Sequence, residues 1–422
     1  MPFVESMRQF QFRVGKENFF LTLVSLIPIL GNDGEQKTKP SQHAAKELRS
    51  LGLSADVIAC RSQKPLSEST RDKISKFCHV DCSSVIGVHD VSNLFEVPLL
   101  LIENGLHTCL ANKFKFDTKI EPKLDNWSTL VKTMNSIKEQ KENVIKIVLV
   151  GKYTGLSDSY HSVSKSLLHA SIFAERKVDV QFLNSDHLVK ENVEKKEYEE
   201  AWKILKEANG ILVPGGFSVR GIEGKILAVE YARLNKIPFL GICLGMQVAI
   251  IEFARNVLGY KDANSLEFDP ETKTPVIIPM PEISREQLGG TMRLGSRKSY
   301  FKKDCKIKSL YNDFEVIEER HRHRYEANYK MIDEFEEVGM IFVAQDETGQ
   351  RQEIIELDNH PYFIGCQYHP EYKSRWFNPS APFIGLILAA CGKLDGFLND
   401  EKKKRKLNED FDLNSENKKI KI

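Results

Sequence analysis

Residues 144–153 read VIKIVLVGKY, an almost unbroken apolar run. A strand with one wet face alternates apolar with polar residues, and this one does not. The run therefore predicts a parallel strand covered by helices on both sides. The next hundred residues keep to that plan. The helical segment SVSKSLLHASIF (162–173) leads to the strand VDVQFL (178–183), and EYEEAWKILKEA (197–208) leads to GILVPGG (210–216). The helix GKILAVEYARL (224–234) then precedes the strand IPFLGIC (237–243). Strand–helix alternation at this rhythm predicts an open, mostly parallel, helix-covered α/β sheet. Ligands should gather at the carboxyl ends of its strands.

Around this domain, taken as residues 144–398, the chain divides into three further zones. Residues 1–110 hold strand-like runs at 55–60 and 83–91 separated by helical stretches such as HAAKELRSLG (43–52), a second α/β pattern. The run LTLVSLIPIL (21–30) is too short and too proline-broken to span a bilayer and is expected to be a core strand. Residues 111–143 read as a polar linker ending in a helix, with Trp127, Leu130, Val131, Met134 and Ile137 at helical spacing. From 399 to 422 the chain is charged and without a core pattern, so disorder is expected. There KKKRK (402–406) has the composition of a nuclear-import signal and Ser415 is open to phosphorylation, against the plainer reading of a solvating tail.

Composition excludes several classes. The formal net charge is +1, which gives no bulk attraction to nucleic acid or acidic membranes. Eight irregularly spaced cysteines in 422 residues read as thiols of a reducing compartment, not as a disulfide framework. Cys78 and Cys82 in CHVDC lack a second half-site, so they read as separate thiols and no metal ligands are assigned. The N-terminal residues do not resemble a signal peptide, and a cytoplasmic location is expected. No G-x-x-x-x-G-K-[ST] phosphate loop occurs.

The chemistry concentrates around Cys243. In IPFLGICLGMQVAII (237–251) an apolar strand ends at Ile242, a G-x-C-x-G turn follows, and a helix starts at once. This is the context of a nucleophile elbow with cysteine in place of serine. Gly241 and Gly245 permit a strained turn, and the helix N-terminus favours the thiolate. The Leu244 amide points where an oxyanion would form, and Gly215 and Gly216 can offer a second backbone donor. Downstream, YFIGCQYHPEY (362–372) is expected to end as a strand at His369, with Glu371 two residues on. A histidine and a carboxylate there suit the base and the orienter of a triad, and Pro370 restricts their relative directions. Buried cysteine is more often a small core hydrophobe, as Cys60, Cys366 and Cys391 are read, and His321, His323 and His360 suit surface or structural roles. For Cys243 the consistent order of elbow, glycine pair and His-Pro-Glu favours chemistry.

These motifs, GICLGMQ, PGGF and HPE, resemble those of class I glutamine amidotransferases. NSLEF (264–268), GGTMRLG (289–295) and ERHRHRYE (319–326) narrow the likeness to the glutaminase domain of the CTP synthase family. GEQKTKPSQHAAKELRSLG (34–52), VIGVHDV (85–91) and MPFVESMRQFQF (1–12) resemble that family's synthetase domain. The resemblance spans roughly residues 1–396. It implies a partial P-loop-like synthetase domain followed by the amidotransferase domain, with Cys243, His369 and Glu371 as the triad. Glutamine would be held by Gly215, Gly216, Leu244, Gln247, Glu267 and Arg324. An acid for the substrate amine and an arginine for its carboxylate suit a free amino acid. UTP or the inhibitor CTP would meet Lys37, Thr38, Lys39, Pro40, Ser41, Gln42 and Lys73. ATP would meet Arg61, His89, Asp90 and Val91, and Arg220 and Glu223 match a lid linked to activation by GTP. The resemblance also implies Mg2+ with ATP, no prosthetic group, and a homo-oligomer, by family a tetramer.

Two departures bear on these expectations. The family's phosphate loop, with its lysine and magnesium-binding acids, has no match ahead of MPFVESMRQF. Phosphoryl transfer depends on such charge neutralisation, so the expectation is a glutaminase-competent chain that lacks the first half of the synthetase domain and does not perform the ligase step alone. Ser218 stands where the family usually has glycine and would stiffen the lid if that position needs positive φ. The rival expectations are a free-standing glutaminase, which has no use for KTKPSQ (37–42), a non-catalytic subunit that assembles with longer synthase chains, and a first zone that does not fold.

Overall fold

The computed structural model describes residues 2–30, 34–117, 122–155, 157–217, 219–281 and 292–400. Ser218, residues 289–291 of the 289–295 motif and the tail from 401 on, with KKKRK and Ser415, lie outside the described residues. The chain divides into two compact units, Met1–Lys138 and Glu139–Ile422.

In the first unit helix α1 (Pro2–Val14) precedes strand β1 (Thr22–Leu26) and a minimal pairing of β2 (Ile29–Leu30) with β3 (Glu35–Gln36). Then come α2 (Lys39–Ser50), β4 (Val57–Ser62), α3 (Glu68–Cys78) and β5 (Val85–His89). Helices α4 (Val97–Glu103), α5 (Leu106–Phe114) and α6 (Asp125–Glu139) complete it. The strands form a parallel sheet in the order β1-β4-β5. One face packs Ile58 and Cys60 with Ile74 and Cys78 of α3, and the other packs Val57, Ala59 and Val88 with Leu100 of α4.

The run at 21–30 departs from the core strand expected of it. Its second half is broken by Pro28, and β1 is an edge strand in which Val24 is 66% and Leu26 61% exposed. The helix of the expected linker, α6, is part of the first unit. There Trp127 Nε1 donates to the Phe95 carbonyl at 2.7 Å, and Asn135 bonds both Asn93 and Glu96. Among the described residues no single helix is long and apolar enough to cross a membrane, although the pair 94–103 and 106–114, bent by 55°, reaches that length and composition together.

The second unit is built on β6 (Ile145–Gly151), α7 (His161–Ala174), β7 (Val178–Asn184), α8 (Lys195–Lys206), β8 (Gly210–Val213), α9 (Ile222–Leu234), β9 (Phe239–Ile242) and α10 (Leu244–Asn256). A small sheet comes next, β10 (Asn264–Ser265), β11 (Pro275–Pro279) and, later, β14 (Tyr325–Ala327). A long hairpin, β12 (Arg293–Phe301) with β13 (Val316–His323), flanks α11 (Lys306–Leu310). The unit ends with α12 (Ile332–Glu337), β15 (Met340–Gln345), β16 (Gln352–Leu357), β17 (Phe363–Cys366), α13 (Ala381–Ala390) and α14 (Leu394–Leu398).

The nine-stranded sheet runs β13-β12-β15-β16-β17-β9-β8-β6-β7. Strands β17, β9, β8, β6 and β7 are mutually parallel, and the remaining four extend the sheet antiparallel. Strand alternation explains its two cores. Val148, Val150, Ile211 and Val213 pack under α8, α9 and α10, while Ile147, Leu149, Leu212 and Leu240 pack under α7 and α13. Helix α10 is buried all round from Leu244 to Ala254, which is why its sequence shows no polar stripe.

Helix α9 passes close to the backbone at Ser185. A Cβ at Gly224 would lie 1.7 Å from the Ser185 carbonyl oxygen. Gly224→Ala is therefore expected to lower stability by about 1–3 kcal/mol, the usual cost of forcing atoms into a packed interior. A thermal unfolding midpoint equal to that of the unaltered chain would contradict this.

Candidate active site

Strand β9 delivers Cys243 to the start of α10 in a conformation that L-residues avoid, φ 52° and ψ −101°. The surroundings impose it. The Cys243 N–H donates to the Cys366 carbonyl at 2.6 Å, tying the elbow to the end of β17. A Cβ at Gly245 would fall 2.1 Å from the Val213 carbonyl oxygen, so only glycine lets α10 come this close to β8. As the first residue of α10, Leu244 has an N–H without an intrahelical acceptor.

Strand β17 ends at Cys366, three residues earlier than the expected end at His369. The chain turns there, and His369 caps a short 3-10 turn over Pro370–Tyr372 because proline cannot donate to a further ladder bond. The turn is pinned where the His369 N–H donates to the Arg320 carbonyl of β13 at 2.7 Å. His369 Nδ1 lies 2.8 Å from Glu371 Oε1, and both side chains are mostly buried. A Cβ at Gly215 would lie 2.7 Å from His369 Cε1 and 3.5 Å from Cys243 Cβ. The glycine thus leaves the imidazole and the thiol side by side at the end of β8. Burial works to lower the His369 pKa, but the Cys243 sulfur and the Glu371 carboxylate outweigh it and raise it from 6.5 to about 10.

The other residues expected to hold glutamine converge on the small sheet. Strand β11 lies between β10 and β14, so Glu267, just after β10, and Arg324, just before β14, share its neighbourhood. Gln247 joins them from α10, its Nε2 2.8 Å from the Tyr325 carbonyl oxygen and 3.2 Å from Gln367 Oε1. A Cβ at Gly216 would touch Leu244 Cδ2 at 3.4 Å, so Gly216 lies against the Leu244 side chain. In the segment expected to act as a lid, Arg220 Nε bonds Asp186 Oδ2 at 2.9 Å, and Glu223 pairs with Arg255 at 2.9 Å.

In the first unit the expected nucleotide residues fall into two groups. Lys37 pairs with Glu35, and Lys37 and then Lys73 draw that carboxyl below its ordinary value. Thr38 caps α2, its Oγ1 accepting from Gln42 Nε2 at 2.9 Å, while Pro40 occupies the first turn. Lys39 lies over the Phe77 ring, and Ser41 is buried with its hydroxyl 2.7 Å from that of Ser25. The second group is Arg61 with the end of β5. Its guanidinium donates to the Val88 carbonyl and to Asp90 Oδ1, both at 2.6 Å, beside His89 and Val91.

Several residues escaped the sequence reading. Gln367 places Nε2 3.6 Å from Cys243 Sγ. Lys152 follows β6 and donates to the Phe217 carbonyl, and Lys225 is almost wholly buried in α9. Burial, and then Lys152, push the Lys225 pKa down to about 8. A lysine directly after a doubly covered strand was a readable signal for Lys152; Lys225 and Gln367 carried none. The histidines left open resolve as structural, His321 Nε2 lying 2.6 Å from Glu353 Oε2 and His360 Nε2 3.2 Å from the Ala232 carbonyl. His323 is buried with Nδ1 3.0 Å from the Tyr325 carbonyl. Cys60 and Cys366 are buried and Cys391 partly so. All eight cysteines are free. Among the described residues no three His, Cys, Asp or Glu side chains converge as a metal site.

A thiol on a helix N-terminus, beside an imidazole backed by a carboxylate, is equipped to attack an amide and release ammonia. Known families match both units. The family model for glutamine amidotransferase class-I matches residues 156–389, the class to which this sheet and elbow correspond. The model for the CTP synthase N-terminus matches residues 1–116. CTP synthase of Dictyostelium discoideum is 50% identical over 410 residues, covering 93% of this chain and 72% of that protein. Human CTP synthase 1 is 48% identical over 403 residues, covering 94% and 68%. The chain belongs to the CTP synthase family. Among solved structures, the glutaminase domain of Trypanosoma brucei CTPS with bound acivicin matches at TM-score 0.55 and 35% identity, over 59% of this chain and 95% of that one.

The raised His369 value has a measurable sign. A group whose folded pKa exceeds its ordinary one lends stability that is complete below about pH 6.5 and is lost as pH rises through about 10. The unfolding-midpoint gap between the unaltered chain and Glu371→Gln should therefore narrow from pH 7 to pH 10. A gap that stays constant over that range would contradict it.

Proposed function

We propose that this chain releases ammonia from glutamine at Cys243 and that the ammonia serves the ATP-dependent amination of UTP to CTP. The observation that carries the reading is His369, held by Glu371 on one side and set against Gly215 and Cys243 on the other. His369 takes the Cys243 proton, and the sulfur attacks the side-chain carbonyl carbon of glutamine. The oxyanion that forms is met by the amides of Leu244 and Gly216, each such donor being worth about 100- to 1000-fold in rate. Collapse breaks the C–N bond as His369 returns the proton, so ammonia leaves and a glutamyl thioester remains. Water, deprotonated by His369, then cleaves the thioester to glutamate and the free thiol. Glu371 keeps the imidazole in the tautomer these transfers need.

Glu267 and Arg324 are assigned to the amine and carboxylate of glutamine, with Gln247 beside them, and Arg220 and Glu223 to the GTP-responsive lid. Lys37–Gln42 and Lys73 are assigned to UTP or CTP, and Arg61 and His89–Val91 to ATP. Arg61 would have to exchange its bond to Asp90 for phosphate oxygens. A cytosolic location and a homotetramer fit the relationship. A non-catalytic role within such an assembly draws on α1, where no residue is buried and Phe3, Phe10 and Phe12 are exposed. Ammonia release by the purified chain would dismiss that reading.

The deciding measurement is ammonia release from glutamine by the purified chain, with and without GTP. Cys243→Ala and His369→Asn are each expected to lower kcat by at least about 1000-fold. Hydrolysis that survives Cys243→Ala would end the proposal. Arg324→Ala is expected to raise KM for glutamine about 10- to 100-fold with a smaller change in kcat, the pattern of a lost binding contact. An unchanged KM would remove Arg324 from the glutamine site.

A further inference from the structure

Gln367 takes no part in the proton transfers assigned to His369, yet its side chain reaches the sulfur. It lies between β17 and His369, 1% exposed, with its backbone N–H donating to the Glu353 carbonyl at 2.9 Å. Its carboxamide bridges two groups, Nε2 3.6 Å from Cys243 Sγ and Oε1 3.2 Å from Gln247 Nε2. An amide can be placed either way round, so the direction of this bridge needs a physical reason.

The backbone supplies one. The Tyr325 carbonyl can only accept, so the end of Gln247 that lies 2.8 Å from it must be the NH2. The same NH2 faces Gln367, which must answer with its oxygen. That leaves the NH2 of Gln367 turned to the sulfur. A single carbonyl on β14 thus fixes the polarity of two side chains and makes Gln367 a donor to Cys243.

Besides His369, the sulfur has the Arg322 carbonyl at 3.9 Å, which can accept from the thiol but opposes a thiolate. His369, backed by Glu371, gains positive charge when it takes the proton. On the elements packed around the elbow, burial keeps His323 on β13 neutral and pushes the Cys366 thiol up, and His321 is tied to Glu353. Gln367 is therefore a fixed neutral donor on the sulfur, present before and after proton transfer.

We infer that Gln367 is a positioning residue for the nucleophile, its N–H holding and aiming the Cys243 thiolate while Gln247 locks its carboxamide. The inference rests on Cys243 being the nucleophile. A donor to the charged form favours that form, so removing it makes the thiolate harder to reach.

The test follows iodoacetamide alkylation of Cys243 against pH, read by mass spectrometry of the peptide that contains it so that other thiols do not count. Gln367→Leu removes the donor, and Gln367→Glu keeps the size while turning an acceptor to the sulfur. The alkylation midpoint is expected to rise by about one pH unit in Gln367→Leu and by more in Gln367→Glu. In the same variants kcat for ammonia release should fall about 10- to 100-fold with KM within about twofold. Midpoints equal to that of the unaltered chain would overturn the inference. If the leucine variant fails to fold, the near-isosteric Gln367→Glu decides alone. The parent reading fails separately: hydrolysis surviving Cys243→Ala removes the nucleophile itself, whereas its loss there with unmoved Gln367 midpoints removes only this role.

Discussion

The backbone of Cys243 is held at φ 52°, and the arrangement of the second unit depends on keeping it there. A non-glycine residue in that region costs on the order of 1–3 kcal/mol, and surrounding packing must over-determine it. Three contacts do so. Gly241 and Gly245 leave no room for side chains between β9, α10 and β8, and the Cys366 carbonyl takes the Cys243 N–H. Because β9 and β17 run parallel in register from Phe239 with Phe363 to Ile242 with Cys366, both strands finish together. The residues just past them, the thiol and the segment leading to the imidazole, meet as a result.

Behind the site stands a polar scaffold that the chemistry does not consume. On β13 the residues alternate, so Ile317, Glu319, His321 and His323 are buried while their neighbours are less covered. Glu353 joins His321 to Arg293, and Asp346 joins Arg293 to Arg351. Buried ions of this kind contribute little net stability, since desolvation offsets their attraction, but breaking one strands a charge. Their effect is geometric. They bind the β12–β13 hairpin to β16, and that hairpin offers the Arg320 carbonyl to His369 and the Arg322 carbonyl to Cys243.

Much of this was legible in the sequence because it is local. A doubly covered strand announces itself by lacking alternation, and VIKIVLVGKY and IPFLGIC became β6 and β9 within a residue or two. The elbow is spelled by consecutive residues, and His-Pro-Glu sits where a turn must follow a strand. The misread end of β17 has a plain cause: Gln367 and Tyr368 suit a strand, but the ladder stops once Pro370 forces the turn. Gln367 itself was invisible because its role depends on Gln247 and Tyr325, far away in sequence. The exposure of β1 was hidden for a related reason, since an apolar run shows that cover is wanted and not whether it is supplied.

That edge strand has a practical meaning. Val24 and Leu26 stand open on β1, beside unpaired backbone groups of the kind that template pairing with another chain. The unit that carries the elbow has its large sheet packed between two apolar cores. Pairing with another chain at β1 would join chains through the unit that holds no nucleophile.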